Sequence, residues 1–225
     1  MKTSSKSELR KQQILTAAEK VFAKKGFQEA TISDVGREAG LSEATIYEYF
    51  SSKEELLFSI PGETAKKTRE DLKHILRHVR GAANKIRSII YGYLWFYETH
   101  PDYASVSLLI LKQNRKFLET QAYKDVKKLS GLLTEVLQEG KNKGEFSQEI
   151  DVYLVRSCIL GTIEHNVIRR ILLGKPQNLT DLTDPLTDLV LNGILKKPPM
   201  ETMDFYVTVK LATQKKPAGP KKNKR

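Results

Sequence analysis

Between Thr31 and Lys53 the chain reads TISDVGREAGLSEATIYEYFSSK, a stretch whose hydroxyls, phenols and carboxylates are spaced for hydrogen bonding and not for bond-making. Thr31 stands three residues before Asp34, the spacing of a capping box that satisfies the first free N–H groups of a helix. Ile32, Val35 and Ala39 then recur at helical spacing and predict an inward face, and Gly40 falls where a left-handed C-cap is needed. Ser42 can cap a second short helix, Glu43 to Tyr49, in which Ile46 and Phe50 lie four apart and join Leu41 inside. The other side of that helix stays free. Two short helices around a glycine turn, the second with a free polar face, have the layout of a helix-turn-helix that reads double-stranded DNA.

A third helix must support this pair. From Glu8 to Lys25 one stripe carries Ile14, Ala17, Ala18, Val21 and Phe22, and Lys24-Lys25-Gly26 supplies a cationic last turn and a terminal glycine. Three helices with one core are expected. Across residues 9 to 60, FAKKGF followed by ATISDVGREAGLSEATIYEYFSSKEELL resembles the DNA-binding domain of the TetR/AcrR family of bacterial transcriptional regulators. The resemblance implies that the second short helix enters the major groove while flanking residues hold phosphates. Carried over by position, it implies DNA contacts at Thr31, Ser42, Thr45, Tyr47, Tyr49 and Lys53.

One departure concerns charge. The proposed reading helix holds Glu43 and Glu48 and no Lys or Arg, so bidentate recognition of guanine from it is excluded and readout falls to Ala44, Thr45 and the tyrosines. A glutamate there, Glu43 or Glu48, either accepts from cytosine N4 or is a surface charge that keeps the helix soluble and rejects wrong sites. The formal charge of the chain is +11, yet residues 1 to 60 are net neutral, residues 61 to 195 contribute +4 and residues 196 to 225 contribute +7. The motif carries the DNA argument and the net charge does not. Lys2, Lys6, Arg10 and Lys11 cluster at the start, as an arm toward phosphates or a solvated terminus.

Composition is that of a folded globular chain of one large or two modest domains. A single cysteine, Cys158, excludes an intramolecular disulfide and suits a reducing cytoplasm. No secretory or membrane segment is expected, since the longest apolar run, Ile89 to Tyr97, is too short to span a bilayer.

Beyond the head, Ser52 to Glu55 starts a fourth helix that Pro61-Gly62 interrupts, so two segments are expected, about Lys53 to Ile60 and Glu63 to Arg80, with the break either a hinge or a static bend. Further helices are read near Ala83 to His100, Tyr103 to Asn114, Gln121 to Gly144, Asp151 to Gly174 and Asp181 to Leu195, the last tolerating Pro185 only in its first turn. The helix from Asp151 spreads Val152, Val155, Ile159, Ile163 and Ile168 over much of its surface and is expected to be buried on more than one side. By the family resemblance the last two helices form a four-helix dimer interface, here Val155, Ile159, Ile163, Leu186, Leu189, Val190 and Gly193. GTIEHNVIRRILLGKP is similar to the branch of that family that senses acyl-coenzyme A.

An effector cavity is expected among Tyr91, Trp95, Phe96, Tyr103 and Phe117, with Asn114, Glu164, His165 and Asn166 as orienting polar groups; the alternative for the aromatics is core packing. His74 and His78 one turn apart, and Cys158 with His165, have metal-ligand spacing, but neither set brings a third ligand. No nucleophile elbow, phosphate loop or nucleotide fingerprint is present, so no catalytic residue, metal or cofactor is expected. Residues 198 to 225 depart from the family: Phe205, Val207, Val209 and Leu211 alternate like a strand, before a basic tail that either adds DNA affinity or solubilises.

The sequence thus predicts an all-α homodimer. Residues 1–52 form the helix-turn-helix head, 53–197 a helical effector-binding and dimerisation domain, and 198–225 a basic, disordered tail. It is read as a one-component repressor released from a palindromic operator by a small, largely apolar effector, acyl-coenzyme A among the possibilities. The rival is an effector-independent architectural DNA-binding protein acting through a protein partner.

Overall fold

The computed structural model describes residues 2–195, and among these every regular element is a helix, with one isolated bridge between Phe146 and Leu195. The strand-like alternation at 205–211 and the basic tail lie outside the described residues. The head consists of α1 (Lys2–Glu29), α2 (Ile32–Ala39) and α3 (Glu43–Tyr47), and α1 breaks its helical dihedrals at Gly26, where φ is 76°. That glycine marks the stop expected from Lys24-Lys25-Gly26; a further turn follows it.

The body comprises α4 (Lys53–Leu76), α5 (Ala82–Thr99), α6 (Pro101–Ser105), a π-helical turn (Val106–Leu111), a 3₁₀ turn (Arg115–Glu119), α7 (Gln121–Asn142), α8 (Val152–Leu173), a second 3₁₀ turn (Thr180–Leu182) and α9 (Thr183–Ile194). Caps explain several of these boundaries. Ser52 accepts from Glu55 N to start α4, Asp151 accepts from Tyr153 N and Leu154 N to start α8, and Gly174 ends α8 at φ 67°. Pro185 falls in the first turn of α9, where a missing N–H costs nothing.

The expected break at Pro61 is not there: α4 is a single helix of 24 residues with Pro61 inside it, ending at Leu76 and not at Arg80. An interior proline costs a helix about 3 kcal/mol. Tertiary packing offsets that cost, because Pro61 and Gly62 are both buried and a Cβ on Gly62 would sit 2.9 Å from the Ala122 methyl of α7. The small residue lets two long helices approach closely, so the pair works as a packing device and not as an end.

Two apolar cores result. One joins Ile14, Phe22, Val35, Ile46 and Leu57 of the head and α4 to Tyr103, Val106, Leu111 and Phe117 of the body; the other is built by α5, α7, α8 and α9 around Ile86, Ile90, Leu133, Phe146, Ile159 and Ile163. The head therefore shares its core with α6 and the π-helical turn. No helix among the described residues is long and apolar enough to cross a membrane.

Candidate nucleic-acid interface and the body behind it

Every cap expected at the helix-turn-helix is made. Thr31 Oγ1 accepts from Asp34 N at 3.1 Å, and Thr31 N donates to Asp34 Oδ2 at 3.1 Å. Hydrogen bonds from Lys25 and then Thr31 hold the Asp34 carboxyl down at about 2, so it stays charged at the helix start. At the other end of α2, Gly40 (φ 66°) donates to Arg37 O and Leu41 N donates to Gly36 O at 2.9 Å, a Schellman closure. The closure explains Gly36, which the sequence reading passed over: a Cβ there would lie 2.8 Å from the Leu41 carbonyl oxygen. Ser42 Oγ accepts from Thr45 N at 3.1 Å and pairs with Thr45 Oγ1 at 2.9 Å.

These caps set the rotation of α3. Ile46 is fully buried and Phe50 joins it, which turns Glu43, Ala44, Tyr47 and Glu48 to solvent along one face, with Tyr47 52% exposed. Thr45 and Tyr49 are half-buried on its flank, and Tyr49 packs on the head core. The helix is shorter than expected, closing at Tyr47. Thr31 and Ser42 are exposed at the starts of α2 and α3, although their hydroxyls serve as caps.

Lys53 departs from the expectation of a phosphate contact. Its ammonium donates to Phe27 O and Ala30 O, both at 2.8 Å, and to Gln28 O at 3.3 Å, and lies 4.6 Å from the Phe27 ring centre. The amine faces inward because the carbonyls after Gly26 are short of backbone donors. Of the basic cluster at the start of the chain, Lys11 is tied to Glu63 of α4 at 2.9 Å.

In the body the expected effector residues do not gather. Tyr91 and Trp95 point outward from α5, each about half exposed, because α5 turns Ile86, Ile89, Ile90 and Leu94 inward. Phe96 and Tyr103 do meet, edge to face at 5.0 Å, within a cluster that includes Tyr97 and, through it, Tyr93. Burial pushes the Tyr93 and Tyr97 phenols well up and takes Tyr103 to about 12. Tyr93 and Tyr97 were missed by the sequence reading, and their spacing of one helical turn on the inward side of α5 was the available signal. Phe117 shares the first core with Tyr103 but packs on Phe58 and Tyr123 and not on the Phe96–Tyr103 cluster. Asn114 caps the 3₁₀ turn through Lys116 N, Glu164 pairs with Lys112, His165 is exposed, and Asn166 donates to Thr162 O. An open groove of about 650 Å³ between α7 and α8, lined by Glu135, Gln138, Glu139 and Tyr153 among others, contains none of these residues.

The expected dimer residues divide. Ile159, Ile163 and Leu186 are buried in the chain's own second core, Val155 and Val190 are half-buried, and Leu189 and Gly193 are exposed. The correction is one of helical phase: Val152, Ile159, Ile163 and Val167 take the inward side of α8. Leu154, Cys158, Gly161, His165 and Leu172 then face out, and on α9 Leu189 is 70% exposed.

Head and body meet where α1 packs on α6 and the π-helical turn. There Glu19 is pushed up to about 7, chiefly by burial and then by the Asp102 carboxylate. Just after the same turn, Lys112 pairs with Glu164 of α8. His74 and His78 stack edge to face at 5.3 Å, and no group of three or more possible metal ligands occurs among the described residues.

Comparison with known proteins covers both parts of the molecule. Residues 14–60 match the profile of bacterial regulatory proteins of the tetR family, and residues 63–193 match that of the YsiA-like protein C-terminal region. The fatty acid metabolism regulator protein of Bacillus subtilis is 28% identical over 185 residues, 82% of this chain and 95% of that one. Among solved structures, the fatty acid degradation regulator FadR from Bacillus halodurans superimposes with a TM-score of 0.77 at 30% identity, covering 82% of this chain and 95% of that one. FadR from Bacillus subtilis in complex with stearoyl-CoA gives 0.73 at 26% identity, covering 81% and 98%.

Proposed function

The chain belongs to the TetR family of bacterial regulatory proteins, and we propose that it works in the cytoplasm as a homodimeric repressor, released from a palindromic operator when a long-chain acyl-coenzyme A or similar amphipathic compound occupies the body. As a family member it is a DNA-binding transcriptional regulator and not an enzyme. The observation that carries the rest is the face Glu43, Ala44, Tyr47 and Glu48, held outward by caps at Thr31, Gly40 and Ser42 and covered by nothing in the described chain. A surface fixed this firmly and left bare suits a duplex groove. Thr45, beside the face, would read base edges, and Thr31, Ser42, Tyr47 and Tyr49 would bracket it.

Dimerisation is supported by the large apolar side chains that α8 and α9 leave exposed, Leu154, Leu172 and Leu189. A two-fold pair would offer two reading faces to two half-sites. The effector class is supported by the relatives named for fatty-acid regulation and by the stearoyl-CoA complex. Within this chain the aromatic cluster of Phe96, Tyr97 and Tyr103 borders the π-helical turn that touches α1, so an effector opening that cluster would disturb the head directly. Releasing DNA a hundredfold needs about 2.7 kcal/mol of preference for the released conformation.

The test is a gel shift of the DNA upstream of the coding sequence, with stearoyl-CoA, free coenzyme A and no addition. Release by stearoyl-CoA but not by coenzyme A supports the repressor, whereas binding that no acyl chain disturbs replaces it with an effector-independent DNA-bound protein.

A further inference from the structure

The ammonium of Lys53 has three N–H donors, and three carbonyls of the α1–α2 junction take them: Phe27 O, Gln28 O and Ala30 O, at 2.8, 3.3 and 2.8 Å. The Phe27 ring covers it from a further side at 4.6 Å, and that ring is itself wedged edge-on against Phe22 of the head core. A phosphate oxygen could be bound only by giving up one of these partners. The acceptors stand 23 to 26 residues upstream, just past the break at Gly26, where the chain leaves α1 and enters the capping box of Thr31. Lys53 is also the first residue of α4, the helix that runs unbroken from the head to the packing against α7. One side chain therefore fastens the body's longest connection to the joint that sets the direction of α2 and α3.

We infer that Lys53 is a positioning residue for operator binding: it clamps the end of α1 to the start of α4, so that the helix-turn-helix keeps a fixed angle to the body, and it does not itself hold a phosphate. A phosphate-holding lysine contributes equally to all sequences and releases a counterion, so its loss weakens every duplex and lowers the salt slope by about 0.9. A clamp acts on the relative placement of the two heads. Its loss penalises only the duplex whose half-sites must be met together.

The experiment uses the full-length chain with Lys53→Met and Lys53→Arg, the duplex most enriched by the unaltered protein from a random library, and a scrambled duplex of equal length. Fluorescence anisotropy is measured from low to moderate salt, well below each variant's melting midpoint. The expected result is that Lys53→Met loses about tenfold or more on the selected duplex, stays within about twofold on the scrambled one, and keeps the salt slope of the unaltered protein. Lys53→Arg preserves the charge and folding, but a planar guanidinium cannot send three donors to three diverging carbonyls, so it too is expected to lose affinity for the selected duplex alone. Equal weakening of both duplexes with a shallower slope overturns the inference, and so does an arginine variant that binds as the unaltered protein does. If Lys53→Met fails to fold, the arginine variant decides.

Discussion

The head and the aromatic layer of the body spend the same kinds of residue in opposite directions. Around α3, hydroxyls and glycines are used to finish helices, at Thr31, Gly40 and Ser42, and the consequence is a short face turned fully to solvent. In α5 and α6, Phe96, Tyr97 and Tyr103 turn inward on one another, and burial raises the two phenols. A recognition surface for a large rigid partner is displayed ready-made, since a duplex arrives from outside. The effector site proposed here is instead filled by its own side chains and would have to be opened. The comparison teaches that the DNA face should tolerate little change in its supports, while the body should tolerate loss of exposed aromatics and respond to changes in the buried ones.

The largest effect is expected from the exposed leucines that would join two copies. Leu154→Asp combined with Leu189→Asp alters exposed positions, so the chain should fold, but sedimentation should show a monomer and operator affinity should fall by about a hundredfold or more as the second head is lost. A stable dimer at micromolar concentration would place the interface elsewhere.

Next come the supports of the reading face. Ile46→Ala should cost about 2–4 kcal/mol in urea unfolding, because the side chain is fully buried, whereas Trp95→Ala on the exposed side of α5 should stay within about 0.5 kcal/mol. Equal costs would erase the contrast between the two regions. Gly36→Ala forces a methyl against the Leu41 carbonyl oxygen and should cost about 1–3 kcal/mol, with loss of operator binding in the same preparation.

What the sequence made legible here was local. Thr31 with Asp34, Ser42 with Thr45, Ser52 with Glu55, and the terminal glycines at 40 and 174 lie within a few residues of the groups they serve, so spacing alone identifies them. The unbroken helix through Pro61-Gly62 is not legible locally, because the close approach at Gly62 is to Ala122, sixty residues away on α7. Local spacing does not reveal the hydrogen bonds of Lys53, because the carbonyls that accept them lie at the α1–α2 junction, 23 to 26 residues upstream. The density of aromatics is legible in the sequence but their phase around α5 is not, and it separates Tyr91 and Trp95 outside from Tyr93 and Tyr97 inside. Apolar spacing does not distinguish a partner from the chain's own core, and it is the latter that holds Ile159, Ile163 and Leu186.

The smallest effect expected is a pH dependence at the junction of the two regions. Glu19 titrates in the folded chain near 7, above its ordinary 4.5, so between these values the folded state holds a proton that the unfolded state has released. Its contribution is full below about pH 4.5 and is lost as the pH rises through about 7. Urea midpoints of Glu19→Gln should therefore fall less between pH 5 and 8 than those of the unaltered chain. Parallel pH profiles would remove Glu19 from the junction.

The central claim is that the outer face of α3 reads a duplex. Unbiased selection from a random duplex library at moderate salt tests it most directly, with the unaltered chain, Thr45→Ala and Tyr47→Ala run side by side. The account predicts one palindromic sequence enriched by the unaltered chain, a changed preference for Thr45→Ala, and the same preference with weaker binding for Tyr47→Ala. No enriched sequence, or three identical selections of equal affinity, would contradict it.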